Sequence, residues 1–254
     1  MNQGVPEDGE LVLHGRIMPA SNATFVGEVE GRRVVYKPVA GERPLWDFPD
    51  GTLALRERAA YVVSELLGWD VVPTTILREG PHGPGMVQLW REPDPHQEAV
   101  TVVPEGADPP GYLHVFDGLD QHDQAIALVH EDSAPLRRMA VFDVLVNNAD
   151  RKGGHVLEMS DGHRYGVDHG VSFHPDPKLR TVLWGWAGEP LVPGELDGVG
   201  RLLGALDSAT GRELEELVSG LELERLHHRC ERLRSAAVFP EPRGDWPAIP
   251  WPPF

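Results

Sequence analysis

Cysteine is nearly absent from this chain of 254 residues, since Cys230 is the only one. A single thiol excludes an intrachain disulfide, and a reducing compartment is therefore expected. Long apolar runs are missing too: no stretch of about 18 apolar residues offers a membrane-spanning helix. The first ten residues lack an apolar core, so we expect no signal peptide. These absences together predict a cytoplasmic protein.

Positive charge is also scarce, because 23 Lys and Arg residues face 40 Asp and Glu residues, for a formal net charge of −17. Nucleic acids and anionic bilayers both attract Lys/Arg patches. The balance predicts no nucleic-acid partner and no stable membrane association. Lysine is the rarer cation, with only Lys37, Lys152 and Lys178 in the chain. A lysine inside an apolar run is therefore a candidate for a specific chemical role.

The first half of the sequence has the pattern of β-structure with one helix. Three strands are predicted between residues 11 and 39, with a hairpin turn at Glu30-Gly31. Apolar residues at helical spacing predict a helix over 54–67, which ends at Gly68. Two more strands are predicted around a Gly/Pro turn, in the segments VVPTTILRE and GPGMVQLWR.

The second half is predicted to be mainly helical. Its segments are a Pro- and acid-rich lobe boundary or linker at 91–112, a weakly amphipathic stretch at 116–129, a helix at 133–147, a hairpin at 155–168 and a long helix at 208–236. Such segregated runs of strands and helices predict an α+β protein with two lobes and a cleft between them. We place the β-rich N-lobe, with its one helix, at 1–92. The mainly helical C-lobe with an embedded hairpin is placed at 93–254.

Lys37 lies in the apolar run RVVYKPV, where it shares a strand face with Val35. One interpretation is an exposed strand lysine. The other is a lysine that contacts phosphate in the cleft between the lobes, and such a lysine needs a carboxylate to hold its stem. Glu57, in the first turn of the predicted helix, is the candidate. Its alternative role is a favourable charge at a helix N-terminus.

A second group of polar residues surrounds the predicted hairpin. Asp161-Gly162 predicts a two-residue turn, which places His155 directly opposite Asp168. Asp150 lies a few residues before this pair, in a loop that follows an apolar helix. The three side chains are a plausible site for a divalent metal. The alternative interpretation of His155 and Asp168 is a surface His–Asp pair.

The order of these residues along the chain is the order in which kinases place their catalytic parts. Lys37 would orient phosphates and Glu57 would orient Lys37. Asp150 would position the acceptor hydroxyl. His155, five residues later, and Asp168 would hold the metal ions that neutralise the transferring phosphoryl group.

A loop that covers the nucleotide phosphates is the remaining part of such a site. Small and polar residues between the first two predicted strands, where backbone N–H groups can approach phosphate, are the candidates: Ser21, Asn22, Ala23 and Thr24.

The stretches NADRKGGHVL and GVDHGVSF resemble the catalytic and metal loops of the phosphatidylinositol 3-/4-kinase-like superfamily. The similarity is greatest to its HipA-like branch of protein kinases, and in particular to an uncharacterised actinobacterial kinase-like group. It covers roughly residues 11–175. Further similarity lies in SNATFV, VVYKP, LRERAAYVVSELLGWDVVP and GMVQLW.

The resemblance implies a two-lobed protein-kinase-like fold, ATP as cofactor and a bound Mg²⁺ or Mn²⁺. It implies that Lys37 is the phosphate lysine and Glu57 its partner. It also makes Asp150 the catalytic aspartate and Asp168 the metal ligand of the Asp-x-Gly motif. The hinge that binds adenine falls near 86–90, centred on Gln88 and Leu89.

His155 departs from the family, which has a metal-binding asparagine at this position. Mg²⁺ prefers oxygen ligands, whereas imidazole suits Mn²⁺ better. Three explanations stay open: a preference for Mn²⁺, a hydrogen-bonding role for His155 within the loop, or loss of catalysis with retention of nucleotide binding.

Two alternatives to a kinase follow from the same residues. One is a nucleotide-binding pseudokinase or regulatory module. The other is a metallohydrolase, suggested by the crowding of His155, His163, Asp168, His169, His174 and Asp176. For a kinase, the acidic chain disfavours a lipid acceptor. The expected acceptor is an unidentified hydroxyl group on a soluble protein Ser/Thr or on a small molecule.

Overall fold

The structure, a computed structural model, describes residues 4–18, 22–49, 51–107, 109–208, 211–242 and 246–254. Its strands are β1 (Val12–Arg16), β2 (Phe25–Val29), β3 (Arg32–Pro38), β4 (Thr75–Gly80), β5 (Gly83–Leu89), β6 (Val100–Pro104), β7 (Tyr112–Leu119), β8 (Ala125–Glu131), β9 (Val156–Glu158) and β10 (Arg164–Gly166). Its helices are α1 (Leu53–Leu67), α2 (Ala134–Val146), α3 (Pro193–Leu206), α4 (Arg212–Leu217) and α5 (Gly220–Ala236).

The first half forms an antiparallel sheet in the order β1-β2-β3-β5-β4. Glu30 and Gly31 turn the chain between β2 and β3, and both have positive φ angles (48° and 76°). Paired left-handed residues match the twist of the flanking strands, which is why this dipeptide favours a tight hairpin. The five strands and the turn predicted for this half are confirmed.

Helix α1 packs on strands β4 and β5 and crosses toward α3 and α4. Its first amides are capped from outside the helix, because the carboxylate of Glu42 accepts from Leu53 N (3.1 Å) and Ala54 N (2.9 Å). It ends at Gly68, whose left-handed conformation (φ 68°) is the common C-terminal stop. The predicted helix is confirmed and begins one residue earlier than expected.

The second half begins with a sheet that the sequence did not predict, with strand order β6-β8-β7. Strand β6 lies within the segment 91–112, where a lobe boundary or linker was expected, so this segment is not wholly a linker. Strands β7 and β8 occupy most of 116–129, so the amphipathic stretch expected there in a mainly helical half was wrong. The reason is that β8 is a short apolar run at the centre of the sheet, and periodicity does not separate such a strand from a buried helix segment. The half after residue 92 is therefore more β-rich than expected.

The helices of the second half form around α2, which has a buried apolar surface on most sides. The helix predicted at 133–147 is confirmed as α2, and the hydroxyl of Ser133 caps it. The helix predicted over 208–236 is two helices. Ser219 and Glu222 form a capping box that starts α5 as a separate helix. The hydroxyl of Ser219 accepts from the backbone N–H of Glu222, and the carboxylate of Glu222 accepts from the backbone N–H of Ser219. Helix α3 was not predicted.

The β9–β10 hairpin is present with a different register from the predicted one. Glu158 pairs with Arg164 and Val156 with Gly166, so His155 and Asp168 are not cross-strand partners. The loop has three residues, Ser160 to Gly162, and Gly162 takes the left-handed position with φ 86°. A three-residue loop that ends in such a glycine is the next commonest hairpin after the two-residue turn.

The predicted α+β class is confirmed, and the separation of a β-rich first half from a second half that holds four of the five described helices agrees with two lobes. Within the described ranges, none of these helices combines the length and the apolar character needed to span a bilayer.

Candidate active site

A cavity of about 790 Å³ opens between the first sheet and the loop that follows α2. We call it the cleft. Predicted site residues that line it are Asn22, Thr24, Lys37, Gln88, Leu89, Asp150, His155 and Asp168. Glu57 lies behind Lys37, and Ala23 is adjacent in the chain to two lining residues. Ser21 lies outside the described residues.

Lys37 lies on β3, where its backbone pairs with Met86 of β5. Its ammonium Nζ donates to Glu57 Oε1 at 2.7 Å and to Asp168 Oδ1 at 2.8 Å. Burial disfavours the charged ammonium, but the attraction of Asp168 and Glu57 outweighs it and raises the pKa of Lys37 above its usual value. Lys37 is therefore a fixed cation at the wall of the cleft.

Glu57 connects the two halves of the site. It projects from the first turns of α1 and its side chain is 2% exposed. While Oε1 accepts from Lys37, Oε2 accepts from the backbone N–H of His169 at 2.9 Å. One buried carboxylate thus fixes the lysine and the residue that follows Asp168.

Asp168 has a left-handed backbone conformation with φ 62°, which is strained for a residue with a side chain. The attraction of Lys37 holds the pKa of its carboxyl far below the usual range. Its Oδ2 lies 3.5 Å from His155 Nε2. Burial lowers the pKa of His155 to about 4, so the imidazole is neutral at pH 7, the form that coordinates metals.

Asp150 lies in the loop after α2, with its backbone N–H held by the side-chain oxygen of Asn148 at 3.0 Å. Burial raises the pKa of the Asp150 carboxyl, although Lys152 and Arg180 oppose the shift. Lys152 Nζ lies 4.0 Å from Asp150 Oδ2. The carboxylate lines the same cleft as Lys37 and Asp168.

A buried ion pair that was not predicted from the sequence supports this loop. Arg151 and Asp143 are both fully buried, and the guanidinium donates to the two carboxylate oxygens at 2.8 and 2.9 Å. Arg151 also donates to the backbone carbonyls of His155 and Val167, each at 3.2 Å. The available signal was Asp143 itself, a carboxylate in the middle of an apolar helix.

His169 was predicted as part of the Asp-x-Gly motif and as one of the crowded residues of the metallohydrolase alternative, and it lies fully buried beside Arg151. Arg151 Nη2 contacts His169 Nε2 at 2.6 Å. Because a guanidinium only donates, Nε2 must accept and the imidazole proton is on Nδ1. Burial, with repulsion from Arg151, holds the pKa of His169 well below its usual value and keeps the ring neutral.

The predicted phosphate loop is only partly available to a ligand. Ala23 N already donates to Gly41 O at 3.0 Å, and Asn22 Oδ1 accepts from Arg43 N at 2.9 Å. Thr24 Oγ1 contacts the Asn22 carbonyl at 3.4 Å. The backbone N–H of Ala23 is therefore already used and is not available to a phosphate.

The predicted hinge forms the far wall of the cleft. The buried amide of Gln88 donates to Thr75 Oγ1 at 2.8 Å, and Leu89 N donates to Thr74 O at 2.8 Å. Beyond them lies Arg91, which was not among the predicted site residues. Its Nε and Nη2 are buried and have no hydrogen-bond partner in the described part of the chain.

The crowded histidines and aspartates do not form a metal centre of their own. Across the described ranges, no group of three or more His, Cys, Asp or Glu side chains is arranged to hold a metal ion. His163 instead contacts Asp70 O at 2.7 Å, and His174 packs edge-on against Phe48. The arrangement gives no support to the metallohydrolase.

Asp168 and His155 fit a weaker kind of metal site. They offer one carboxylate oxygen and one neutral imidazole within 3.5 Å of each other. Mg²⁺ and Mn²⁺ bound with a nucleotide take their other ligands from phosphate oxygens and water. Two protein ligands fit an ion that arrives with its nucleotide better than a resident ion.

The fold and the site define an α+β protein with a cleft between a five-stranded sheet and a hairpin-bearing second half, in which one lysine joins two carboxylates. No protein-family model matches the chain. The chain belongs to the family of protein Rv2133c from Mycobacterium tuberculosis (strain ATCC 25618 / H37Rv). The two are 50% identical over 260 residues, which cover 97% of this chain and 93% of that protein. Among solved structures, it is similar to the Helicobacter pylori proinflammatory kinase CtkA, with a TM-score of 0.45 and 14% identity over 91% of this chain and 93% of that one.

Proposed function

We propose that the chain is an ATP-dependent, metal-assisted phosphotransferase with a protein-kinase-like arrangement of two lobes, residues 1–92 and 93–254. The observation that carries the proposal is the position of Lys37. Its ammonium is held at once by Glu57 (2.7 Å) and by Asp168 (2.8 Å) on the wall of a cleft large enough for a nucleotide. The sequence motifs of the phosphatidylinositol 3-/4-kinase-like superfamily support the same interpretation.

Each residue then has one role. Lys37, oriented by Glu57, contacts the nucleotide phosphates, and the wall formed by Gln88 and Leu89 contacts the base. Asp168 and His155 hold the divalent ion, which neutralises charge on the phosphate oxygens when it is bound. Asp168 Oδ1 would be available as a metal ligand once its contact with Lys37 is broken, and the nucleotide phosphates would take its place as the partner of Lys37.

Asp150 is the residue that positions the acceptor and takes its proton. Its raised pKa makes it a stronger base than an ordinary surface aspartate, and Lys152 beside it limits the shift. The acceptor is a hydroxyl group on a soluble protein or a small molecule, because the net charge of −17 disfavours approach to an anionic bilayer.

A nucleotide-binding pseudokinase is the second candidate, and His155 is the observation that favours it. An imidazole stands where the superfamily has an amide oxygen, which is the harder ligand for Mg²⁺. In this case the cleft binds ATP and transfers nothing.

A thermal-shift panel of ATP, ADP and GTP, each with Mg²⁺ or Mn²⁺, tests the premise that both candidates share. We expect ATP with metal to raise the Tm of the wild-type chain, since a ligand that binds only the folded state stabilises it. Lys37→Ala should lose most of this increase. If Lys37→Ala keeps the full increase in Tm, the proposal that Lys37 contacts the nucleotide phosphates is wrong.

Lys178→Ala is the matched control. Lys178 also forms a buried ion pair, with Asp47 at 2.6 Å, but it does not line the cleft. Its loss should lower the Tm and leave the nucleotide-induced increase unchanged. Phosphate release or autophosphorylation with either metal then separates the candidates: binding without any transfer favours the pseudokinase.

A further inference from the structure

A second cavity, of about 280 Å³, lies in the C-terminal half. Helices α2 and α5 and the segment after the hairpin form its walls. None of the described residues that line it also lines the cleft. The site described above therefore does not account for it.

One face of α5 gives this cavity an arginine-rich side. Arg225, Arg229 and Arg232 are spaced by four and three residues, so they lie on the same face of the helix. His228 lines the cavity beside them, and the carboxylate of Glu241 lines it as well. Arg225 and Arg229 alone outnumber the one carboxylate among the described residues that line the cavity, Glu241, in a chain with a net charge of −17.

Arg229 is the most constrained member of this face. Its Nε donates to the carbonyl of Leu145 at 2.7 Å, which fixes the guanidinium against α2. Its Nη2 is buried and has no hydrogen-bond partner among the described residues. Burial, together with repulsion from Arg232 and Arg225, lowers the pKa of Arg229 to about 10. A buried charged donor without a partner is costly, and an anion in the cavity removes that cost.

The opposite walls are apolar. Two tryptophans line the cavity, and both indole N–H groups are already used: Trp184 Nε1 donates to Ala248 O at 2.8 Å and Trp246 Nε1 to Lys178 O at 3.2 Å. Their N–H groups are therefore not free for a ligand, and both side chains line the cavity through ring atoms, with Lys178 Nζ 4.7 Å from the ring centre of Trp246. Pro175 and Pro177 extend this apolar surface.

We propose that this cavity binds a phosphate monoester. Arg229 and Arg225 hold the phosphate, and its organic part lies against Trp184 and Trp246. A guanidinium matches phosphate with two parallel hydrogen bonds, and a dianion suits a site where several cations converge. The apolar walls select an ester over inorganic phosphate. The inference does not depend on the proposed function of the cleft.

Calorimetric titration of the nucleotide-free chain with phenyl phosphate and with inorganic phosphate, at fixed ionic strength, tests the site. Phenyl phosphate should bind more tightly and should change the tryptophan fluorescence. Arg229→Gln and Arg225→Gln should each weaken binding by about tenfold or more, the loss expected for a charged hydrogen bond. Arg225 is exposed, so its variant keeps the test available if Arg229→Gln does not fold.

Two matched variants locate the binding. Arg234→Gln, at an exposed position of α5 outside the cavity, should bind phenyl phosphate like the wild type. Lys37→Ala should do so too. The inference is overturned if Lys37→Ala loses binding while Arg225→Gln keeps it, because the phosphate is then in the cleft. It is also overturned if inorganic phosphate binds as tightly as phenyl phosphate, or if neither binds.

Discussion

Asp150 experiences opposing influences on its charge. The fold removes its carboxylate partly from water, which raises its pKa, while Lys152, Arg180 and Arg151 stabilise the charged form. Burial is the larger effect. An aspartate that serves as a base needs this balance: ionised at neutral pH, yet able to accept a proton from a bound hydroxyl.

The variant Asp150→Asn should therefore affect the Tm and phosphoryl transfer differently. At pH 7 the ionised carboxylate destabilises the folded state relative to the unfolded state, so the neutral amide should leave the Tm unchanged or raise it. Any advantage of the variant should fade as the pH falls, since wild-type Asp150 becomes protonated as the pH passes down through its raised pKa. Scanning calorimetry of both proteins from pH 7 to pH 4 measures the difference.

The same variant should keep the nucleotide-induced increase in Tm and lose phosphoryl transfer. Asp197→Asn, at an exposed position of α3, is the control and should change neither property. Transfer by Asp150→Asn at the wild-type rate would rule out Asp150 as the base.

At the scale of elements, the site depends on the ion pair between α2 and the loop that follows it, a pair that also contacts the β9–β10 hairpin. Asp143 comes from the middle of α2, and Arg151 from the loop that follows it. Arg151 then reaches the carbonyls of His155 and Val167, which lie at the base of the two hairpin strands. Asp150 is held in place because its neighbour Arg151 is fixed on both sides.

Removing one member of the Asp143–Arg151 pair should destabilise the folded state. Asp143→Ala leaves a fully buried guanidinium without its partner, and we expect a loss of about 3–5 kcal/mol in the free energy of unfolding, measured with urea. The double variant Asp143→Leu/Arg151→Met should recover a large part of this loss, because it removes both buried charges.

The exposed pair of Arg58 and Glu213 supplies the comparison, with side chains that are 21% and 44% exposed. Glu213→Ala should cost less than about 1 kcal/mol, since solvent screens such pairs. Equal losses for Asp143→Ala and Glu213→Ala would contradict a supporting role for the buried pair.

The β9–β10 hairpin also shows that local sequence signals predict a turn without fixing the register of its strands. Asp161-Gly162 fits a two-residue turn and a three-residue loop equally well, because both need a left-handed glycine. The predicted register was wrong, yet His155 and Asp168 still lie 3.5 Å apart. Their proximity comes from the bond of Val167 N to His155 O (3.0 Å), which closes the base of the hairpin.

The candidate site was predictable where a residue contrasts with its own segment. Lys37 is a cation in an apolar strand of a lysine-poor chain, and Glu57 is a carboxylate near the start of an apolar helix. The sheet of β6, β7 and β8 gave no such contrast, since β6 and β7 are partly exposed and β6 holds no charged residue. Arg91 and Arg229 were not predictable, because they stand out only as buried guanidinium groups with nitrogen atoms that lack a hydrogen-bond partner among the described residues. Spacing along the sequence does not reveal such a property.

At the scale of the molecule, charge is distributed unevenly around a strongly acidic average. The excess of carboxylates repels anionic surfaces at long range, while the two cavities each concentrate cations. Small anions can reach cations inside a cavity, whereas a flat bilayer meets the average charge of the surface that faces it.

This distribution predicts that the chain does not bind anionic vesicles. In co-sedimentation at low salt, where surface electrostatics are strongest, the bound fraction should be the same for phosphatidylserine-rich vesicles as for phosphatidylcholine vesicles. Sedimentation with the anionic vesicles that disappears at physiological salt would contradict the prediction and would restore a lipid as a possible acceptor. Repeating that experiment with Arg225→Gln would then show whether the arginine face of α5 is the contact, because only a contact through this face weakens when Arg225 is neutralised.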